Sequence, residues 1–431
     1  MIRNLSRREF VAITGTGLLG SVVSSTSQAL GHSSPKLYAY VSSWTAAMSR
    51  AFGFSSFDGG KGGGGIHVFT VDMKNGSLTH LSSVAPEMNT GYICISPNGR
   101  FLYATDERKD YGGKAGAGGG LSTLSIDPAD GSLTCVNSHP SMGAFPAYIC
   151  IDATGSRVVT ANHGSYDNVV RIVRHDATAV MEDLYDDGIV AMFPVEQSGT
   201  LGTACDVSVL QAGHGPGGVL QGSSHPHSVN FDPSNRFLLA CDKGADRIYV
   251  YRFDPGSRTL GARQMFSTPP GTAPRHSAFH PRLPYVFIVN ELEASLTSFS
   301  FDSTTGEIRS IETVATVAAG LEFRGQKNMP ADIRIHPNGK FLYGSTRGNN
   351  SIAIFQLDEA TGKLTPVDIV PTGGSTPRAF NFEPSGKYLF AANQESNNII
   401  TFAVDSETGK ISQTAEKVEI ERPVCLKFAV L

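Results

Sequence analysis

Short runs of alternating apolar and polar residues, broken by turn signals, recur along the whole chain. The stretch APRHSAFHPRLPYVFIVNELEASLTSFSFD, from Ala273 to Asp302, has the period of two that marks a pair of half-buried strands. Six stretches of this kind align without gaps: ISPNGRFLYATDE from Ile95, IDATGSRVVTANH from Ile151, FDPSNRFLLACDK from Phe231, FHPRLPYVFIVNE from Phe279, IHPNGKFLYGSTR from Ile335 and FEPSGKYLFAANQ from Phe382. Each is an apolar strand end, a tight turn and a second, almost wholly apolar strand. After four of the six comes a third strand, DRIYVYRFD, ASLTSFSFD, NSIAIFQLD or NNIITFAVD, and then an Asp-x-x-x-Gly turn with KLT or KIS.

A unit of about four short antiparallel strands recurring every ~50 residues is a propeller blade. A seventh unit is split between the termini. KLYAYVSSW from Lys36 and GGIHVFTVD from Gly64 are expected to supply its inner and middle strands, and RPVCLKFAVL at the C-terminal end resembles the strand that opens each repeat. The expectation is an all-β, seven-bladed β-propeller over residues 36–431, closed by pairing of the C-terminal strand with the N-terminal blade, which removes the open edge. The stretch from about Arg171 to Gln221 breaks the period and reads as a long excursion from the third unit. YGGKAGAGGG and FDGGKGGGG read as flexible loops; no Gly-Lys-Ser/Thr ends them, so neither is a phosphate loop.

Residues 1–29 stand apart from this pattern. Arg7-Arg8, a short apolar stretch and a small-x-Ala ending at Ser27 and Ala29 read as a twin-arginine export signal cleaved near Ala29, which predicts a periplasmic or secreted protein and the export machinery as a partner. GTGLLG within it matches a dinucleotide fingerprint in letters only, since no strand precedes it. No other segment is apolar for long enough to cross a bilayer. The composition, rich in Gly and Pro with a single Trp, agrees with a β protein, and a net charge of −4 excludes the basic footprint of a nucleic-acid binder. The six cysteines contain no Cys-x-x-Cys pair and read as free thiols. With no obvious exposed apolar stripe, a monomer is expected.

Aligning the residue after each second strand gives Glu107, His163, Lys243, Glu291, Arg347 and Gln394, polar without exception. Aligning the residue after the proline that opens each unit gives Ala147, His227, Arg275, Ala331, Arg378 and Val424. In a propeller equivalent strand ends form rings around a central channel, and charges there must be paired or wet. His227, Arg275, Glu291 and Arg347 are therefore the candidate catalytic set. His163, Lys243, His276, Asp332, Arg378 and Gln394, in or beside these rings, are candidates for binding substrate. A polar channel without catalysis is the plainer alternative for any one position. His225-Pro226-His227 raises a metal reading, but no nearby spacing supplies a third ligand, and neither metal nor other cofactor is expected. His280 shares the turn slot of Ser96, Asp232, His336 and Glu383 and reads as structural. No Gly-x-Ser-x-Gly elbow is present.

The motifs HPHSVNFDPSNRFLLACDKGADRIYVYRFD, APRHSAFHP…VNELEASL, MPADIRIHPNGKFLYGSTRGNNSI and TPRAFNFEPSGKYLFAANQ resemble the lactonase family of seven-bladed propellers, which includes propeller-type 6-phosphogluconolactonases and carboxy-cis,cis-muconate lactonizing enzymes. The resemblance is firmest from His225 to the C-terminal end. It implies a histidine at His227, arginines at Arg275 and Arg347 and a glutamate at Glu291 as site residues. It also implies an anionic lactone as substrate, opened by water with His227 as general base or acid, Glu291 orienting it or the water, and the arginines holding the anion or oxyanion. A lactonizing cycloisomerase running the reverse chemistry, and a non-catalytic propeller binding a ligand or protein, stay open at this level. Export disfavours a cytoplasmic sugar phosphate and points to aldonolactones or lactones of uronic or aromatic acids.

Overall fold

The computed structural model describes residues 35–45, 63–114, 116–175, 178–210, 215–318, 320 and 328–431. The expected signal over 1–29 and the glycine run 57–62 lie outside the described residues. Residues 36–431 form one compact unit. In it seven four-stranded antiparallel sheets follow one another, with no α-helix among the described residues. Each repeat contributes its opening strand as the first of a sheet: Ile93–Ile95, Pro146–Ile151, Pro226–Phe231, Pro274–Phe279, Met329–Ile335, Pro377–Phe382 and Pro423–Val430. Each of these touches the equivalent strand of the sheets before and after it, so the seven close into a ring around a central axis.

Closure runs through the termini. Leu37–Ser43 pairs antiparallel with Pro423–Val430, from Leu37 opposite Val430 to Ser43 opposite Pro423. Lys36 and Leu431 exchange backbone hydrogen bonds of 2.9 and 3.0 Å. The Lys36 strand is second from the axis rather than innermost; the C-terminal strand takes the inner place because it carries the proline start and bulge of five of the other six inner strands.

The core lies between the blades. Phe237, Leu239 and Val250 of one sheet, for example, pack against Val286, Ile288 and Phe299 of the next. Both faces of the second strands are thus covered, which explains their unbroken apolar runs. The Asp-x-x-x-Gly turns connect the third and fourth strands of a blade and pack on the blade before it. Gly131 at φ 73° and Gly409 at φ 73° press on the rings of Tyr38 and Phe341, where a Cβ would collide.

The excursion in the third unit is smaller than its broken period implies. Asn168–His175 and Thr178–Tyr185 form a separate two-stranded hairpin, but Gly188–Pro194 and Asp206–Leu210 are the third and fourth strands of that blade. The glycine-rich run from Tyr111 also carries structure: Tyr111–Gly113 is a short 3₁₀ turn, Asp110 bridges Gly118, and Gly120 opens a strand. All six cysteines are free thiols.

Candidate active site

Two backbone devices place side chains at one end of the central channel. The first acts on the residue after each second strand. Its N–H donates to the carbonyl of the residue just before the inner strand: Glu291 to Ala273 at 2.8 Å, His163 to Phe145 at 2.9 Å, Gln394 to Thr376 at 2.9 Å and Trp44 to Arg422 at 3.1 Å. Those four acceptors, each followed by proline, have φ of 56°, 50°, 60° and 46°. A non-glycine residue held there costs about 1–3 kcal/mol, so the tertiary structure enforces it at the mouth of the channel. Trp44 is the closing blade's member of this ring. Its signal was legible, since it ends the KLYAYVSSW strand, but the split repeat hid the alignment.

The second device is a β-bulge. In five sheets the register between first and second strand slips at the residue after the proline, which leaves Ala147, His227, Arg275, Arg378 and Val424 without a ladder partner. A bulge bends its strand and re-aims the extra side chain. His227, Arg275 and Arg378 reach the channel in this way.

The cavity so formed encloses about 520 Å³ with its mouth and is lined among others by Trp44, Glu107, His227, Arg275, Arg347 and Arg378. Glu291 stands among three cations. Its Oε2 lies 3.1 Å from Lys243 Nζ and 3.1 Å from Arg275 Nε, and its Oε1 3.0 Å from Arg347 Nη2. Burial alone would push its carboxyl up, but the charges of Lys243, Arg347 and Arg275 outweigh burial and hold it well below the usual range. The arginines are held from behind: Arg275 Nη1 donates to the Ala331 carbonyl, and Arg347 Nε donates to the Met329 carbonyl at 3.1 Å. Lys243 is fixed through its backbone, whose carbonyl accepts from Gln221 Nε2 at 2.9 Å. Burial, then the neighbouring Arg347 charge, brings Arg275 down to about 9, and burial brings Arg378 down to about 10.

His227 has no hydrogen-bond partner among the described residues, and its Nδ1 is buried. Burial, reinforced by the charge of Arg275, keeps it well below the usual imidazole range, so it is neutral. His163 stacks on His225 at 4.5 Å and meets the edge of His227 at 5.5 Å. Among the described residues no group of three or more His, Cys, Asp or Glu side chains is arranged to hold a metal ion. Across the cavity, burial pushes the Glu107 carboxyl up to about 7, against the pull of Arg378 and Arg275.

His163, Lys243 and Arg378 line the same cavity, whereas His276, Asp332 and Gln394 do not. His276 and Asp332 lie one layer deeper: His276 Nδ1 is 3.0 Å from Asp332 Oδ1, and Asp332 Oδ2 is 2.9 Å from Arg334 Nη2. Arg334 donates in turn to the Tyr92 hydroxyl at 2.9 Å, and Tyr92 stacks on Tyr148 at 3.8 Å. Below this layer a second opening is lined by Tyr92, Cys94, Tyr148, Cys150 and Lys427. His280 holds a turn, bonding the Gly339 carbonyl through Nε2 at 3.0 Å and accepting from Leu283 N at 2.8 Å.

The family described as "Lactonase, 7-bladed beta-propeller" matches residues 39–428. The chain belongs to this family. Among curated lactonase-propeller relatives, the 6-phosphogluconolactonase of Bacillus subtilis is 29% identical over 369 residues, which is 85% of this chain and 95% of that protein. The 6-phosphogluconolactonase of Formosa agariphila is 30% identical over 330 residues, 75% of this chain and 84% of its own. Among solved structures, the periplasmic gluconolactonase of Pseudomonas aeruginosa superposes with a TM-score of 0.75 at 27% identity, covering 91% of this chain and 99% of that one. In this lactonase propeller the four residues singled out by resemblance, His227, Arg275, Glu291 and Arg347, line one cavity.

Proposed function

We propose that this protein is a lactone hydrolase that opens an anionic lactone, of a sugar acid or a carboxylated ring, in the cavity bounded by His227, Arg275, Glu291 and Arg347. The observation that carries the reading is the charge imbalance of the site. Four buried cations, Lys243, Arg275, Arg347 and Arg378, share one firmly ionised carboxylate, Glu291. Buried charge of one sign is costly, and an anionic ligand relieves it. Burial chiefly, with the charge of Arg347 added to it, lowers both Arg275 and Arg378. Arg275 and Arg347 then hold the substrate anion or the oxyanion that forms as water attacks the carbonyl. Glu291, held by three cations, is a poor base and serves to fix them. Neutral His227 takes the proton from water, and the negative charge of a bound substrate raises its basicity at the moment it is needed. The relatives named 6-phosphogluconolactonase and gluconolactonase support the reaction class.

Residues 1–29 carry the reading of export, which the periplasmic relative supports, and with it a substrate met outside the cytoplasm. The experiment is pH-stat acid release from glucono-δ-lactone, its 6-phosphate and carboxylated lactones, with wild type beside His227→Ala. Turnover well above the spontaneous rate, reduced by about 10²–10⁴ in the variant while folding is retained, is expected. Turnover absent across the panel, or unchanged in the variant, overturns the reading in favour of a propeller that only binds its ligand.

A further inference from the structure

Glu107 is a buried carboxyl that the reaction as described leaves unused. Its blade is three places from that of Glu291 one way round the seven-fold ring and four the other, the greatest separation seven blades allow. The two glutamates occupy equivalent strand ends and therefore face each other across one cavity. Their surroundings are opposite. Glu291 has three cations at 3.0–3.1 Å. Among the described residues Glu107 forms no ion pair, is 2% exposed, and has a buried Oε1 with no hydrogen-bond partner, while a side-chain hydrogen bond from Trp44 acts on its carboxyl. The inner strand of its blade leaves room for it: a Cβ on Gly91 would overlap the Glu107 carboxyl. This is the one blade whose inner strand has glycine where others carry Ala147, His227, Arg275 or Arg378.

We infer that Glu107 is a further catalytic residue, the neutral carboxylic acid that protonates the departing ring oxygen while His227 accepts a proton from water on the other side of the lactone. The inference rests on the lactone-hydrolase reading. The oxygen of water bonds to the carbonyl carbon, and one of its protons passes to His227. The acyl–oxygen bond breaks, its electron pair stays on the ring oxygen, and that oxygen takes the Glu107 proton. The products are the hydroxy acid, a Glu107 carboxylate and a protonated His227. One proton returns from His227 to Glu107 through water, and the new acid releases its own to solution. Two carboxyls whose environments drive their proton affinities apart are suited to such a division of labour.

The charged groups facing Glu107 are Arg378 and Arg275 from other blades and Asp106 beside it, with the Trp44 indole close by. Burial exceeds the pull of the arginines, and Asp106 adds to the rise, so the acid form persists up to about 7. His163 of the next blade is neutral, lowered mainly by burial. Activity that depends on the acid form falls as pH rises through about 7.

The test compares wild type with Glu107→Gln on two lactones, corrected for spontaneous opening. In 6-phosphoglucono-δ-lactone an alkoxide leaves and needs a proton, whereas in a carboxylated dihydrocoumarin a phenoxide leaves and does not. The expected result is a loss of about 10²–10⁴ in kcat on the sugar lactone, a loss under about tenfold on the aryl lactone, and disappearance of the alkaline limb in the variant. Equal losses on both, or an unchanged pH profile, overturn the role of Glu107 while leaving the hydrolase intact. Wild type that opens neither lactone overturns the hydrolase reading and this inference with it. Infrared difference spectra give a readout independent of turnover. A protonated carboxyl band that is lost as pH rises through about 7 and is missing from Glu107→Gln supports the assignment, and its absence from wild type below that pH overturns it.

Discussion

The mouth of the central channel and the layer beneath it are built from the same residue types, yet their chemistry differs. In the deeper layer His276, Asp332, Arg334 and Tyr92 form a continuous chain of contacts between 2.9 and 3.0 Å, and Asp332 also sits opposite the Phe380 N–H at 3.4 Å. Burial works against the Asp332 charge, but Arg334 and His276 hold its carboxyl well below the usual range. Every charge there has a partner. At the mouth four cations exceed the available anions, His227 has no partner among the described residues, and Glu107 keeps an unpaired oxygen. A satisfied buried network stiffens a fold, whereas an unsatisfied one next to a cavity is a place for a ligand.

Three substitutions test that contrast, taken in order of expected effect. Arg275→Ala at the mouth should reduce kcat/KM on the preferred anionic lactone by about 10³-fold, as expected for loss of an oxyanion or substrate-anion donor. Circular dichroism and initial rates measured on one preparation check it, and a loss under tenfold would equate the two layers. Asp332→Asn in the deeper layer should act on stability instead. It leaves the part-buried Arg334 without its counter-charge and should cost about 2–4 kcal/mol in denaturant unfolding. The folded fraction should keep kcat within about tenfold.

The third effect is smaller and depends on pH. Glu107 is raised in the folded protein from its ordinary 4.5 to about 7, so the native state binds that proton more tightly than the unfolded chain. Its contribution to wild-type stability is complete below 4.5 and is lost as pH climbs to about 7. Glu107→Gln escapes this loss. Its stability relative to wild type should therefore rise by up to about 3 kcal/mol between about pH 4 and pH 8, at about 1.4 kcal/mol per unit. Thermal unfolding across that range checks the sign, and a flat difference would place Glu107 with the satisfied groups.

The repeat, the seven blades and closure by the C-terminal strand followed from the strand period and the turn signals, because blade geometry is local and each unit repeats the same side-chain burial. The ring positions were legible for the same reason: equivalent residues of a closed array are equidistant from its axis. Three things were not. The outer strands at Gly188–Pro194 and Asp206–Leu210 were hidden by the hairpin inserted ahead of them, since an insertion destroys a period without destroying a sheet. Trp44 was missed because its repeat is divided between the chain ends. The depth of each polar group was also closed to inspection of the sequence. Arg275 and His276 are neighbours in sequence, but the bulge aims Arg275 into the cavity and leaves His276 to pair with Asp332 from the next blade. The sequence by itself determined the repeat and most of the strand ends that meet at the axis. Only the tertiary structure decided which charges there are neutralised, because a buried charge is settled by partners that arrive from other blades.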